Sequence, residues 1–320
     1  MCVIARRFGF VLAALLFVRC VEVPGPRATE LPSPPPSVAL GDLRVSVGGR
    51  VVSVALEEYV VGTALSEVSP VGESPDVERR IFEVQAILAR TYAVAHLRRH
   101  AADGYDLCDG THCQLYQPGR LTTSRFAPTA RQAVTRTAGK ILTFGGRPAE
   151  ALYHSDCGGH TSPSTTAWGG SPVPYLAGGA DILPPGTHHL WTLTLSNLDL
   201  RSALNAEPRT AVGRRLDRVS VPARDASGRI AEIELLGEKR VVLRGEQFRA
   251  AVNAKLGDRA IQSTRFTVVR MGSAFRFTGS GFGHGVGVCQ VGAAARARRG
   301  ESVETILRTY LPGTRLAADR

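Results

Sequence analysis

VALEEYVVGTALSEVSPVGESPDVERRIFEVQAILARTYAVAHLRRHAADGYDLCDGTHCQLY, residues 54–116, carries one carboxylate at a helix end, then a long helix, then a tight group of Cys and His. Leu56, Tyr59, Val60, Thr63, Ala64 and Glu67 recur at about 100° per residue, so a helix is predicted over 56–68 with these side chains inward. Glu58 falls on the opposite, wet face. Glu67 then follows an apolar stripe into the interior, where loss of water raises a carboxylate's pKa. One such group can donate a proton and later accept one. No second acid stands out as the partner that ordinary glycoside hydrolysis uses. The competing reading is a structural or solvent-facing glutamate.

The next helix has a defined start. Ser74 stands at the N-cap, Pro75 at the first helical position and Asp76 in the first turn. Ile81, Val84, Leu88, Thr91 and Ala95 form its buried face, and it is expected to run to about Arg99. The basic run His96 to His100 suits the negative end of the helix dipole. Beyond it, His100, Cys108, His112 and Cys113 have the donor types of a tetrahedral zinc site, and Asp109-Gly110 can supply the bend that adjacent His112 and Cys113 require. Disulfides are the alternative. Cys108, Cys113, Cys157 and Cys289 make an even number, and four cysteines allow three pairings.

Upstream, Leu43, Val45, Val47, Val51, Val52 and Val54 alternate around Gly48-Gly49, which predicts a hairpin. Downstream, a short helix is expected over 126–138 and a strand pair over 140–153. HSDCGGHTSPSTTAWGGSPVPYL (154–176) is a loop rich in reactive residues, and such loops are more often site walls than connectors. Short alternating runs from Trp191 to Phe277 flank a helix near 245–256. GSGFGHGVGVCQVGAA (279–294) lacks the G-K-[ST] of a phosphate loop. Its glycines around His284 indicate close approach of backbone to a ligand. Cys289 is either a nucleophile with His284 as base or the disulfide partner of Cys157.

These patterns predict an α+β fold. Residues 43–190 with 276–320 form a core of helices on mixed or antiparallel strands, and 191–275 form a β-rich inserted subdomain. The 320 residues carry a net charge of +11. That suits an anionic partner such as an acidic wall polymer or lipid. No Lys/Arg block is interleaved with aromatics, which argues against nucleic acid. Arg6 and Arg7 before the apolar run Phe8–Val18 read as an export signal or a membrane anchor over 1–20, with Cys20 a candidate lipidation site. Residues 21–42 are Pro-rich and read as an extended tether. An exported, extracytoplasmic protein, secreted or membrane-anchored, is expected.

EEYVVG, SE, EVQAILARTYAVAH, CDGTHCQLY, HSDCGGHT with its following Trp, and GFGHGVGVCQVGAAARA occur in this order over roughly residues 43–315. Together they resemble the stage II sporulation protein D (SpoIID) and amidase-enhancer family. The resemblance implies a lytic transglycosylase of peptidoglycan that acts on glycan strands stripped of stem peptides by an amidase. It implies Glu67 as general acid and base, with the muramic acid 6-hydroxyl attacking C1 to close a 1,6-anhydro ring. An intramolecular nucleophile removes the need for a second carboxylate. It implies zinc, carried in some members by residues matching His100, Cys108 and Cys113, with His112 in the same segment. His154, Gly283, His284, Gln290, Gln85 and Arg90 are expected along the substrate groove, with Gln85, Arg90, Thr91 and Tyr92 also candidates for supporting the Glu67 helix. Amidase enhancers add a second reading, a non-catalytic wall-binding protein that assists a peptidoglycan amidase. The sequence departs from the family where Val68-Ser69-Pro70 replaces a Met-Pro after the acid.

Overall fold

The computed structural model describes residues 42–183 and 188–318. The signal or anchor segment, Cys20 and nearly all of the Pro-rich tether lie outside the described residues. Among these residues, no helix is long and apolar enough to cross a membrane.

The expected α+β class is observed. Two helices organise it, α1 (Leu56–Glu67) and α2 (Pro75–Ala95). Phe82 to Ala93 of α2 are buried without a break. A helix enclosed on every side packs against several partners at once. Phe82, Ala86 and Ala89 join α1 and the helix Ala127–Arg136. Val84, Ile87 and Leu88 meet Leu142, Val288, Ile306 and Leu307. Tyr92 and Ala93 meet Leu43, Val45, Leu107 and Tyr116.

Most polar groups inside α2 are paired, as burial requires, Gln85 Nε2 being an exception. Glu83 accepts from Arg79 and Arg136, and Thr91 Oγ1 accepts from Leu142 N–H. α2 stops at Ala95, about a turn earlier than periodicity suggests, and Arg98 takes a left-handed φ of 64°. The basic run therefore forms a turn that swings His100 toward the cysteines. Ser74 occupies the N-cap without a side-chain capping bond.

α1 is also buried more widely than a single stripe, from Tyr59 through Leu65. Gly62 is required there by space, because a Cβ would clash with the Tyr116 ring.

The hairpin Leu43–Val47/Arg50–Val54 turns at Gly48 and Gly49, both at positive φ, as a two-residue hairpin demands. Its first strand also pairs in parallel with Leu107–Cys108. Of the strand pair expected over 140–153, Lys140–Phe144 and Arg147–Pro148 do pair. Tyr153 instead belongs to the strand Tyr153–His154, which pairs in parallel with Val288–Cys289. Lys140–Phe144 also pairs with Arg315–Ala318, a closing strand the sequence patterns did not reveal.

Residues between Trp191 and Phe277 have a separate apolar core around Phe248, Phe266, Phe275 and Phe277. Leu190–Ser196 and Ala274–Ser280 pair antiparallel where this region joins the rest.

Candidate functional site

Glu67 ends α1, and its carboxylate is half-buried. Two neutral donors hold Oε1: Leu115 N–H at 2.8 Å and the Tyr153 hydroxyl at 3.2 Å. Burial raises the Glu67 pKa to about 7, against the opposing pull of these two bonds. The side chain is thus poised between acid and base near neutrality.

Its surroundings come from three distant parts of the chain. Gln114 accepts from Tyr153 at 2.9 Å and donates to the Tyr59 hydroxyl and Ala89 O. Burial pushes the Tyr153 and Tyr59 phenols up, so both remain neutral.

The glycine-flanked histidine is held by main chain. Val286 N–H donates to His284 Nδ1 at 3.1 Å. With Nδ1 engaged by main chain, and no hydrogen bond from the ring to Cys289 among the described residues, nothing supports His284 as a base for that thiol. Burial lowers its pKa to about 4, so it is neutral. Its ring lies 5.1 Å from that of Trp168, which is 46% exposed, and 5.5 Å from that of His154. The exposed indole, with the neutral imidazole tilted at 53° beside it, offers an apolar face of the kind a sugar ring packs on.

His154 is buried and its Nδ1 lies 3.1 Å from Val286 O. A carbonyl only accepts, so the proton is on Nδ1. Gly283, at φ 99°, packs against the His154 side chain. Gln290 donates to Gln85 at 3.2 Å, and the two line a small cleft with Val68, the neighbour of Glu67.

Arg90 is a correction to the groove assignment. Its guanidinium is fully buried, forms a two-pronged ion pair with Glu57 (2.8 and 2.7 Å) and donates to Lys140 O. It anchors the start of α1 and faces no cleft. Thr91 and Tyr92 are likewise interior.

A roomier concavity of about 560 Å³, lined by Leu193, Leu195 and residues 256–260, contains none of these groups.

His100, Cys108, His112 and Cys113 converge, with one donor atom from each lying within 4.8 Å of the others. His100 Nε2 is 3.3 Å from Cys113 Sγ, and His112 Nδ1 is 3.9 Å from both sulfurs. Zinc bonds of about 2.0–2.3 Å at tetrahedral angles separate ligands by roughly 3.6 Å, so the donor set fits that ion. Asp103 stands 3.5 Å from the other nitrogen of His100, where an orienting carboxylate belongs. The cluster also bears on the acid, because Leu115 lies two residues beyond Cys113.

All four described cysteines are free thiols. Cys289 caps the helix Gln290–Arg298 by accepting from Gly292 N–H, and also accepts from Cys157 N–H. Its thiol pKa is pushed well above the ordinary value by Cys157 and by burial, which is opposite to what a nucleophile requires.

Tyr153, Gln114 and Leu115 were not singled out from the sequence. Their only signal was their position inside the two unusual segments.

A sequence profile described as "Stage II sporulation protein" matches residues 48–144, and one described as a domain of unknown function matches 184–287. An uncharacterized protein of Brachyspira hyodysenteriae is 29% identical, over 81% of this chain and 65% of its own length. Stage II sporulation protein D of Bacillus amyloliquefaciens is 31% identical, over 82% of this chain and 74% of its own. An amidase enhancer of Bacillus subtilis is 28% identical, over 74% of this chain and 38% of its own.

Proposed function

Since the chain belongs to the stage II sporulation protein D family, we propose that it is an extracytoplasmic lytic transglycosylase that cuts peptidoglycan glycan strands. The observation that carries this reading is the Glu67 carboxylate, half-dry, with a pKa raised to about 7 and held only by neutral donors.

Protonated Glu67 donates to the glycosidic oxygen as the C1–O bond breaks. The resulting carboxylate takes the proton from the muramic acid 6-hydroxyl, whose oxygen bonds to C1. The net change is one glycosidic bond exchanged for one 1,6-anhydro bond, and Glu67 ends protonated. Leu115 N–H and Tyr153 O–H stabilise the transient carboxylate. Trp168 and His284 supply a surface for the sugar chain, and Gln290 offers an amide, while Gln85, buried, accepts from Gln290 and orients it. His100, Cys108, His112 and Cys113 would hold zinc through four protein ligands with no position left for water, so the ion would serve structure rather than chemistry. Ligation by these side chains would stiffen the segment that ends at Leu115.

The test is incubation with purified glycan strands lacking stem peptides, followed by mass spectrometry. Anhydromuramic ends are expected with wild type and absent with Glu67→Gln. Strand binding without any anhydro product from wild type overturns the enzyme reading. That result would favour an amidase-assisting wall binder, a reading suggested by the amidase-enhancer relative and the net charge of +11.

A further inference from the structure

We propose that Arg229, from the region matched only as a domain of unknown function, is a positioning residue for the sugar-binding wall, holding the His284 loop where His284 stands against Trp168. The sugar chain as ligand rests on the function proposed above; the loop placement does not.

Arg229 is 1% exposed. Its Nη1 donates to Gly283 O at 3.0 Å and its Nη2 to Cys157 O at 3.2 Å. These carbonyls lie on the two segments that carry His284 and His154. No carboxylate hydrogen-bonds the guanidinium, and its Nε has no partner among the described residues. A buried cation bonded only to carbonyls is poor value for stability, because its desolvation is incompletely offset. Placement of those two segments explains its presence better.

The main chain that presents Arg229 is itself fixed. Asp225 Oδ1 accepts from Arg229 N–H at 3.1 Å and from the Ser227 hydroxyl at 2.6 Å, and its other oxygen accepts from Ser162. Ser162 N–H donates to Gly285 O at 2.7 Å, so the 225–229 turn reaches the loop by a second route. Gly285 sits at φ 82°, and a Cβ there would collide with the Arg229 guanidinium. The glycine spacing around His284 is thus partly imposed by an arginine of the inserted region.

The chain has two tryptophans, which report on the two places separately. Trp168 lies on the wall and Trp191, 5% exposed, in the inserted core. Arg229→Met keeps an unbranched side chain and removes both bonds. It is expected to raise iodide quenching of the exposed tryptophan at least twofold, with the buried emission unchanged. KM for stripped glycan strands should rise at least tenfold with kcat within about threefold. In a Glu67→Gln background, strand affinity should fall by the same factor. Arg229→Lys should recover part of each loss.

A purely structural role would lower Tm and the active fraction, hence kcat, with KM unmoved, and that pattern overturns the proposal. So does Arg229→Met with wild-type KM and quenching. If wild type neither cuts nor binds strands, the transglycosylase reading fails, and quenching of Trp168 alone decides whether Arg229 sets the loop.

Discussion

The Tyr153 hydroxyl lies 3.2 Å from Glu67 Oε1 and 2.9 Å from Gln114 Oε1, and it has one proton to give. When Glu67 is ionised the proton serves the carboxylate. When Glu67 is protonated it can turn to Gln114. Tyr153→Phe removes a donor that lowers the Glu67 pKa. The alkaline limb of the pH–rate profile should therefore move upward. Stability should fall by about 1 kcal/mol for the lost hydrogen bond. An alkaline limb that stays put or moves down would show that the phenol does not tune the acid.

Glu67→Gln should lower the rate of anhydro-product formation by about 10²–10⁴, the usual contribution of general acid–base catalysis. The wild-type rate should decline as pH rises through about 7, where the acid loses its proton. Product analysis between pH 5 and 9 checks both. A wild-type rate still climbing at pH 8.5 would mean that the acid form of Glu67 is not used.

The same shift bears on stability. The folded-state pKa of Glu67, about 7, exceeds the reference value of 4.5. Below about pH 4.5 both states are protonated and the shift has no effect. Between there and about 7 the folded state holds more protons than the unfolded, so stability falls as pH rises. The full difference corresponds to at most about 3 kcal/mol, less the screening from water at a half-buried side chain. Glu67→Gln should consequently stabilise the fold by about 1–3 kcal/mol at pH 8 and change little at pH 4.5. Denaturant midpoints at the two pH values measure this.

The position of Glu67 was legible in the sequence because it depends on contacts one helical turn apart. The Cys/His cluster was legible for the same reason, since all four donors fall within fourteen residues. Tyr153 was not, because it reaches Glu67 only through the parallel pairing of Tyr153–His154 with Val288–Cys289, more than 130 residues away. Nor was Arg90. Helical spacing cannot distinguish a surface ion pair from one enclosed by Val134 and Lys140 of later elements. The burial of α2 on every side escaped a single-stripe reading because most of its interior polar groups are paired to other segments. The inserted region's reach into the wall, through Arg229, leaves no periodic trace at all.

Leu115 N–H reaches Glu67 at 2.8 Å, and Leu115 is tied by two peptide units to Cys113. This would make Glu67 a reporter of the Cys/His cluster. One zinc per chain is expected by elemental analysis, absent after chelation and in Cys113→Ser. Without the ion, the 107–116 segment loses its anchor, since folding and metal binding share one free energy. Tm should fall by about 10 °C or more, in line with a loss of several kcal/mol. Weakening the Leu115 bond removes a second influence that holds the Glu67 pKa down. The alkaline limb of residual activity should thus shift upward, in the same direction as for Tyr153→Phe. Adding zinc back to the chelated wild type should reverse both changes, whereas Cys113→Ser should not respond. Metal-free protein with the Tm and pH profile of the untreated sample would leave the cluster with no hold on the acid.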